Sequence, residues 1–239
     1  VLGAWGHASI TVSVQIQDLS TRTEVKNGIT NWKNAINAFA DSHLQYSNLR
    51  DLRFLVSEPN IEGECVASPS GQQLQLIAIP TIGDVCLIPP YRIGTIPDVL
   101  IADPSQQTGV AHVARGTTPS GDGTLWTFRT LGLELDNGEI QGPVLVIAAT
   151  TGSNIDRYNV GIHEFGHAFG VGHVEVNANL QGDVMYVSYV VVGQPTRRCF
   201  STLNLEGVRE AYEWLGGPFQ TPDTTVSIDS AAYAQSYCP

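Results

Sequence analysis

Apolar and polar residues alternate through Ile10-Thr11-Val12-Ser13-Val14-Gln15-Ile16, the period-two pattern of a strand. From about Thr21 the period lengthens: Val25, Ile29, Trp32, Ala35, Ile36, Phe39 and Ala40 recur at helical spacing, which predicts a helix ending near Ser42 with its aromatic stripe packed on a sheet. Residues 52–56 and 74–79 read as further strands, separated by a Pro, Gly and Ser-rich loop that carries Cys65. Residues 98–102 and 143–148 are near-continuous apolar runs, as expected of strands covered on both faces. Another helix is predicted from near Asn154, with Ile155, Tyr158, Ile162, Phe165 and Phe169 forming the apolar stripe that meets the sheet. Strands and one helix before that point, and a mostly irregular segment with one helix after it, make the fold class α+β.

Composition narrows the setting. A chain of 239 residues suffices for one large domain with its own core. No apolar run approaches the roughly 18 residues that span a bilayer, so no membrane span is expected. Acidic residues outnumber basic ones to give a net charge of −11, which repels nucleic acid. The chain begins at Val1 and its one methionine, Met185, is internal, so release from a longer precursor of an exported protein is expected. Four cysteines allow three pairings, and none has C-x-x-C spacing. The favoured pairing is Cys65–Cys86 with Cys199–Cys238, the second pinning the polar tail beyond Trp214. Residues 116–142 read as a loop, in which Asp122, Asp136, Asn137 and Glu139 offer oxygens suited to calcium, though the same residues are ordinary turn formers.

The chemistry concentrates in His163-Glu164-Phe165-Gly166-His167-Ala168-Phe169-Gly170-Val171-Gly172-His173. On a helix, residues four apart share a face, so His163 and His167 direct their rings at one point. Gly170 supplies the left-handed conformation that ends the helix and turns the chain back, bringing His173 to the same point. Three neutral imidazoles suit zinc and leave a fourth position open, the arrangement of a catalytic centre. Glu164 falls beside them as a base for an attacking water.

This extended motif resembles that of the metzincins, zinc endopeptidases in which a methionine-containing turn follows the histidines. Met185, in Asp183-Val184-Met185-Tyr186, stands where that turn is expected, and the resemblance implies that it forms an apolar floor under the ligands. Within the group the chain is most similar to the matrixin branch. Met185-Tyr186-Val187-Ser188-Tyr189 resembles the matrixin wall of the pocket for the residue after the scissile bond, with Val187 in place of proline, and implies an apolar P1′ preference. Gly109-Val110-Ala111-His112-Val113-Ala114 resembles the edge strand on which substrate lies. Residues 201–212 resemble the last helix, with Ser201 as N-cap and Leu205, Val208 and Tyr212 buried. The resemblance implies a twisted, mostly parallel five-stranded sheet with one antiparallel edge strand. It further implies an upper part (1–173) holding the sheet and zinc helix, and a smaller lower part (174–239) holding the turn, last helix and tail.

The chain also departs from the pattern. Val174 stands where matrixins carry serine. Asp103 lacks a histidine two positions before it, and residues 144–146 offer no imidazole, so a second, structural zinc is not expected and His112 becomes a partly exposed strand residue. Val187 occupies the place of the tyrosine switch ligand of astacins and serralysins. The function expected is that of a secreted, monomeric zinc endopeptidase acting on peptides or proteins. The alternatives are a zinc-containing binding or adhesion module without hydrolysis, and a processing or toxin protease of narrow specificity.

Overall fold

Ile10, Val12 and Val14 are fully buried, and their strand β1 (Ser9–Gln15) is an inner strand of a five-stranded sheet. The computed structural model describes residues 1–16, 18–58, 75–79, 83–87, 97–102, 124–127, 133–141, 144–147, 153–174, 181–186, 196–223 and 234–239. After β1 come α1 (Leu19–Ser42), a 3₁₀ segment (Leu44–Asp51), β2 (Arg53–Ser57), β3 (Gln75–Ile79), β4 (Gly83–Leu87), β5 (Val99–Ala102) and β6 (Thr124–Thr127). They are followed by β7 (Glu134–Asp136), β8 (Glu139–Gln141), β9 (Val144–Ile147), α2 (Asn154–Ala168), β10 (Phe200–Ser201), α3 (Thr202–Tyr212) and β11 (Gln235–Tyr237). The sheet runs β2-β1-β5-β9-β6, parallel throughout except that β6 pairs antiparallel with β9. Among the described residues no helix is long and apolar enough to cross a membrane.

Two long helices pack closely because glycine removes side chains where they cross. A Cβ on Gly28 of α1 would lie 3.1 Å from Ile162 Cβ, and one on Gly161 of α2 would lie 2.9 Å from Val25 Cγ2. Trp32, fully buried, closes the junction by donating from Nε1 to the Ile162 carbonyl at 2.9 Å. Its ring meets Phe169 and Phe200 edge-on, at 4.8 and 4.6 Å between centroids, the preferred geometry for aromatic quadrupoles. The helix starts are also joined: Asp18 caps α1 by accepting from Thr21 N at 2.7 Å, and the same oxygen receives Arg157 Nη1 of α2 at 2.8 Å. A reciprocal capping box of Ser153 and Asp156 begins α2, and one of Ser201 and Asn204 begins α3.

Several expectations are revised. Residues 116–142 do not read through as loop: β6 starts within them, and β7 and β8 form a hairpin across Asn137-Gly138. Both turn residues take positive φ, 48° and 78°, which is the signature of the two-residue turn that suits strand twist. Asp136, Asn137 and Glu139 therefore belong to a hairpin, and Asp122 lies outside the described residues. The strand expected at 74–79 has an antiparallel partner, β4, in which Cys86 stands opposite Leu76. Cys65 lies outside the described residues. Cys199 and Cys238 are joined, and β10 pairs with β11 beside the bond, so the tail is pinned as expected.

One ion pair links the chain before β1 to the start of β5. His7 Nε2 lies 3.4 Å from Asp98 Oδ1, while Asp98 Oδ2 accepts Thr11 N at 2.7 Å and Thr11 Oγ1 at 2.8 Å. The Asp98 contact raises the His7 pKa above its ordinary value against the opposing effect of burial. Burial pushes Asp98 up, but the hydrogen bonds from His7 and Thr11 outweigh it and leave its carboxyl low. The histidine share of this stability is complete below pH about 6.5 and fades as pH rises through the raised value; the carboxylate share is complete above about 4 and is lost as pH falls through the lowered one. Because the pair is partly exposed, it is worth at most about 1 kcal/mol. Urea unfolding at pH 5.5 and pH 8.5 should show wild type losing more stability than His7→Gln on the alkaline side, and equal losses would refute the linkage.

Candidate metal centre

The site begins with the way α2 ends. Gly170 N donates to His167 O at 2.9 Å and Val171 N to Gly166 O at 3.0 Å, the paired bonds of a Schellman motif, with Gly170 at φ +99°. A Cβ there would lie 1.9 Å from the Gly3 carbonyl, so both backbone conformation and the crossing N-terminal segment require glycine. The last helical carbonyls are satisfied from outside: Trp5 Nε1 donates to Ala168 O at 3.0 Å and Tyr212 Oη to Phe169 O at 2.9 Å. The chain reverses, and His173 returns to the face occupied by His163 and His167.

The three rings converge. Nε2 of His167 lies 3.1 Å from Nε2 of His163 and 3.0 Å from that of His173, and the remaining separation is 3.2 Å. Among the described residues this is the one group of histidine, cysteine and acidic side chains placed to hold a metal ion. Two of the rings are anchored at their far nitrogens: His163 Nδ1 lies 2.7 Å from Val184 O and His167 Nδ1 2.8 Å from Val171 O. A carbonyl only accepts, so each Nδ1 carries the proton and each Nε2 presents a bare lone pair. Lone pairs aimed at one another within 3.2 Å repel, and a cation between them turns that repulsion into coordination. Tetrahedral zinc with bonds of about 2.0–2.1 Å sets its ligand nitrogens about 3.3 Å apart, so the donor set fits zinc with only slight adjustment.

Burial holds His163 down to about 4, against the opposing pull of its Val184 bond, and holds His167 well below the usual histidine range. His173 is lowered by burial too. All three are therefore neutral at neutral pH, the form that binds metal without first releasing a proton. Glu164 is half-buried on α2, one residue beyond His163.

Beneath the ligands runs 181–186. Met185 is fully buried against the middle of the histidine segment: a Cβ on Gly166 would lie 2.5 Å from its Sδ and 3.0 Å from Trp32 Cζ2. Val174 N, one residue past the third histidine, donates to Met185 O at 3.0 Å. The segment is held from behind as well, since Asp183 Oδ1 accepts Met185 N at 2.6 Å and Asn204 Nδ2 at 3.0 Å. Burial pushes the Asp183 carboxyl up in spite of these donors. Asn159 of α2 clasps the chain that follows, accepting Arg198 N at 2.8 Å and donating to Thr196 O at 2.9 Å.

His163, Glu164, His167, His173 and Met185 are thus brought to one place. Gly109, Val110, Ala111, His112, Val113 and Ala114, and Val187, Ser188 and Tyr189, lie outside the described residues. Among the described residues the antiparallel edge strand of the sheet is β6, where Thr124-Leu125-Trp126-Thr127 carries strong strand formers. Gly166, Trp32, Asp183 and Asn159 were not anticipated as parts of the site. Gly166 had a signal: glycine in a helix interior costs about 1 kcal/mol relative to alanine and so marks a close approach.

Gly166→Ala should therefore destabilise the protein although it improves helix propensity. Met185 can shift, but Trp32 is pinned by its own hydrogen bond, and overpacking of this kind costs about 1–3 kcal/mol. Gly207→Ala in α3, whose Cβ would meet only Val171 Cγ1 at 3.8 Å, should be neutral or stabilising. Chemical unfolding of both variants decides the matter, and equal stabilities would refute the packing account.

No family model matches the chain, and no curated protein matches it.

Proposed function

We propose that the chain is a metzincin-type zinc endopeptidase, with His163, His167 and His173 as metal ligands and Glu164 as general base. The observation that carries this reading is the convergence of three Nε2 atoms within 3.2 Å, two of them left bare on rings fixed by carbonyls. Three protein ligands leave a coordination position open, which distinguishes a catalytic centre from a closed structural one. When bound, zinc supplies Lewis acidity to a substrate carbonyl and to water. Glu164 takes the proton of the attacking water and delivers it to the leaving amine. An extended peptide adds to the edge of β6 that no described strand pairs with; β6 is aligned by β9 and packed beside α2, so that main-chain hydrogen bonds draw the peptide across the histidines. Secretion and an apolar P1′ preference belong to the same reading, supported respectively by the Cys199–Cys238 disulfide and by the resemblance of 185–189.

Glu164→Ala should lower cleavage of casein or a quenched peptide by about 10²–10⁴-fold while leaving one zinc per chain by metal analysis. Chelation should abolish wild-type activity, and zinc should restore it. Wild-type turnover in Glu164→Ala, or full activity of metal-free protein, would sink the assignment.

A further inference from the structure

The turn beneath the ligands is set by one carboxylate. Asp183 is fully buried, and its Oδ1 accepts the N–H of Met185, two residues on, at 2.6 Å. That bond closes an Asx-turn around Val184. The N–H it grips belongs to the same peptide unit as the Val184 carbonyl. A trans peptide is planar, with its N–H and C=O pointing in opposite directions, so fixing one end aims the other. The aimed end is the carbonyl 2.7 Å from His163 Nδ1. Asp183, the 184–185 peptide and His163 therefore form a line in which a carboxyl oxygen orients an amide, and the amide carbonyl fixes the proton of the imidazole.

The carboxylate is itself held in place. Asn204 Nδ2 of α3 donates to the same oxygen at 3.0 Å, and Arg198 Nη1 donates to the Asp183 carbonyl at 3.3 Å. Val184 N donates to Cys199 O and Cys199 N to Gly182 O, each at 3.0 Å, so the backbone on both sides of Asp183 is stitched to the disulfide-bearing segment. Metal-bound histidines ordinarily direct their second nitrogen at a carboxylate or a carbonyl that sets tautomer and ring orientation. Here a carbonyl does so with a carboxylate one peptide behind it.

We propose that Asp183 is a positioning residue for the cation site, acting through the 184–185 peptide to hold His163 in the Nδ1–H tautomer with Nε2 turned to the ion. This rests on the reading of the three histidines as metal ligands, and it adds a residue that the histidine motif does not contain.

The test uses the whole chain and reads binding instead of turnover. Zinc affinity is measured by competition with a chromophoric chelator, cobalt(II) coordination by its visible bands, and the His163 tautomer by long-range proton–nitrogen correlation on metal-free protein. Asp183→Ala should bind zinc about 10–100-fold more weakly, with altered cobalt bands and a mixed His163 tautomer. Asp183→Asn keeps an acceptor for Met185 N–H and should recover most of the affinity. Val12→Ala, a core truncation in β1, should lower stability without changing affinity.

If Asp183→Ala does not fold, Asn204→Ala, which removes one of the side-chain donors to the Asp183 carboxyl, should show a smaller loss in the same direction. Wild-type affinity in these variants, or an Nε2–H tautomer at His163 in the metal-free wild type, overturns the positioning role and leaves the metal site intact. Failure of the wild type to take up zinc or cobalt overturns the metal reading and this inference with it.

Discussion

Three imidazole nitrogens held within 3.2 Å of one another, two of them bare lone pairs facing each other at 3.1 Å, are an unfavourable arrangement unless something positive lies between them. Any relaxation of the rings would relieve the repulsion, so the surrounding structure must hold them against it. Each constraint comes from a different part of the chain. The pitch of α2 spaces His163 and His167 by a turn, the Schellman motif at Gly170 sets the return to His173, and carbonyls of Val171 and Val184 lock two rings. Preorganisation of this kind moves the cost of assembling a cation site into folding, where the whole core offsets it.

Packing beneath the ligands serves the same end. The ridge of α2 that carries the histidines is cut down to hydrogen at Gly166, and the gap admits Met185 and the edge of Trp32. Trp32 also joins α1 and α2 and meets Phe169 and Phe200, so the floor of the site is continuous with the main core. Close-packed interiors transmit displacement instead of absorbing it. A disturbance in the 181–186 turn is therefore felt at the histidines, although no residue of the turn is a ligand.

Much of this was legible in the residues alone, and the exceptions have physical reasons. The long helices show clear 3.6-residue periodicity with polar caps, and α1 and α2 end where the pattern and Gly170 indicate. The parallel strands at 99–102 and 144–147 declare themselves by unbroken apolar runs. Short antiparallel strands such as β7 and β8 carry three residues each, too few for a period to register, and only the Asn137-Gly138 dipeptide marks their hairpin. The metal-site residues were readable because coordination demands fixed side-chain types at fixed spacing. The supporting contacts were not, because a bond between Asp183 and Asn204 joins positions whose separation in sequence carries no periodic signal.

Charge gives the arrangement its final logic. A divalent ion held by three neutral imidazoles keeps its full charge, and a low-dielectric surround makes nearby compensation valuable. On the proposed reading, direct carboxylate ligation would reduce the Lewis acidity that a bound zinc supplies. Glu164, half-buried beside His163, lies outside the group of three histidines that could hold an ion. Asp183 lies one peptide further away, its carboxyl held by hydrogen bonds from Met185, Asn204 and Ser201. On the proposed reading, two carboxyl groups thus stand near the cation position but outside the ligand set, the condition under which a metal is both bound and reactive.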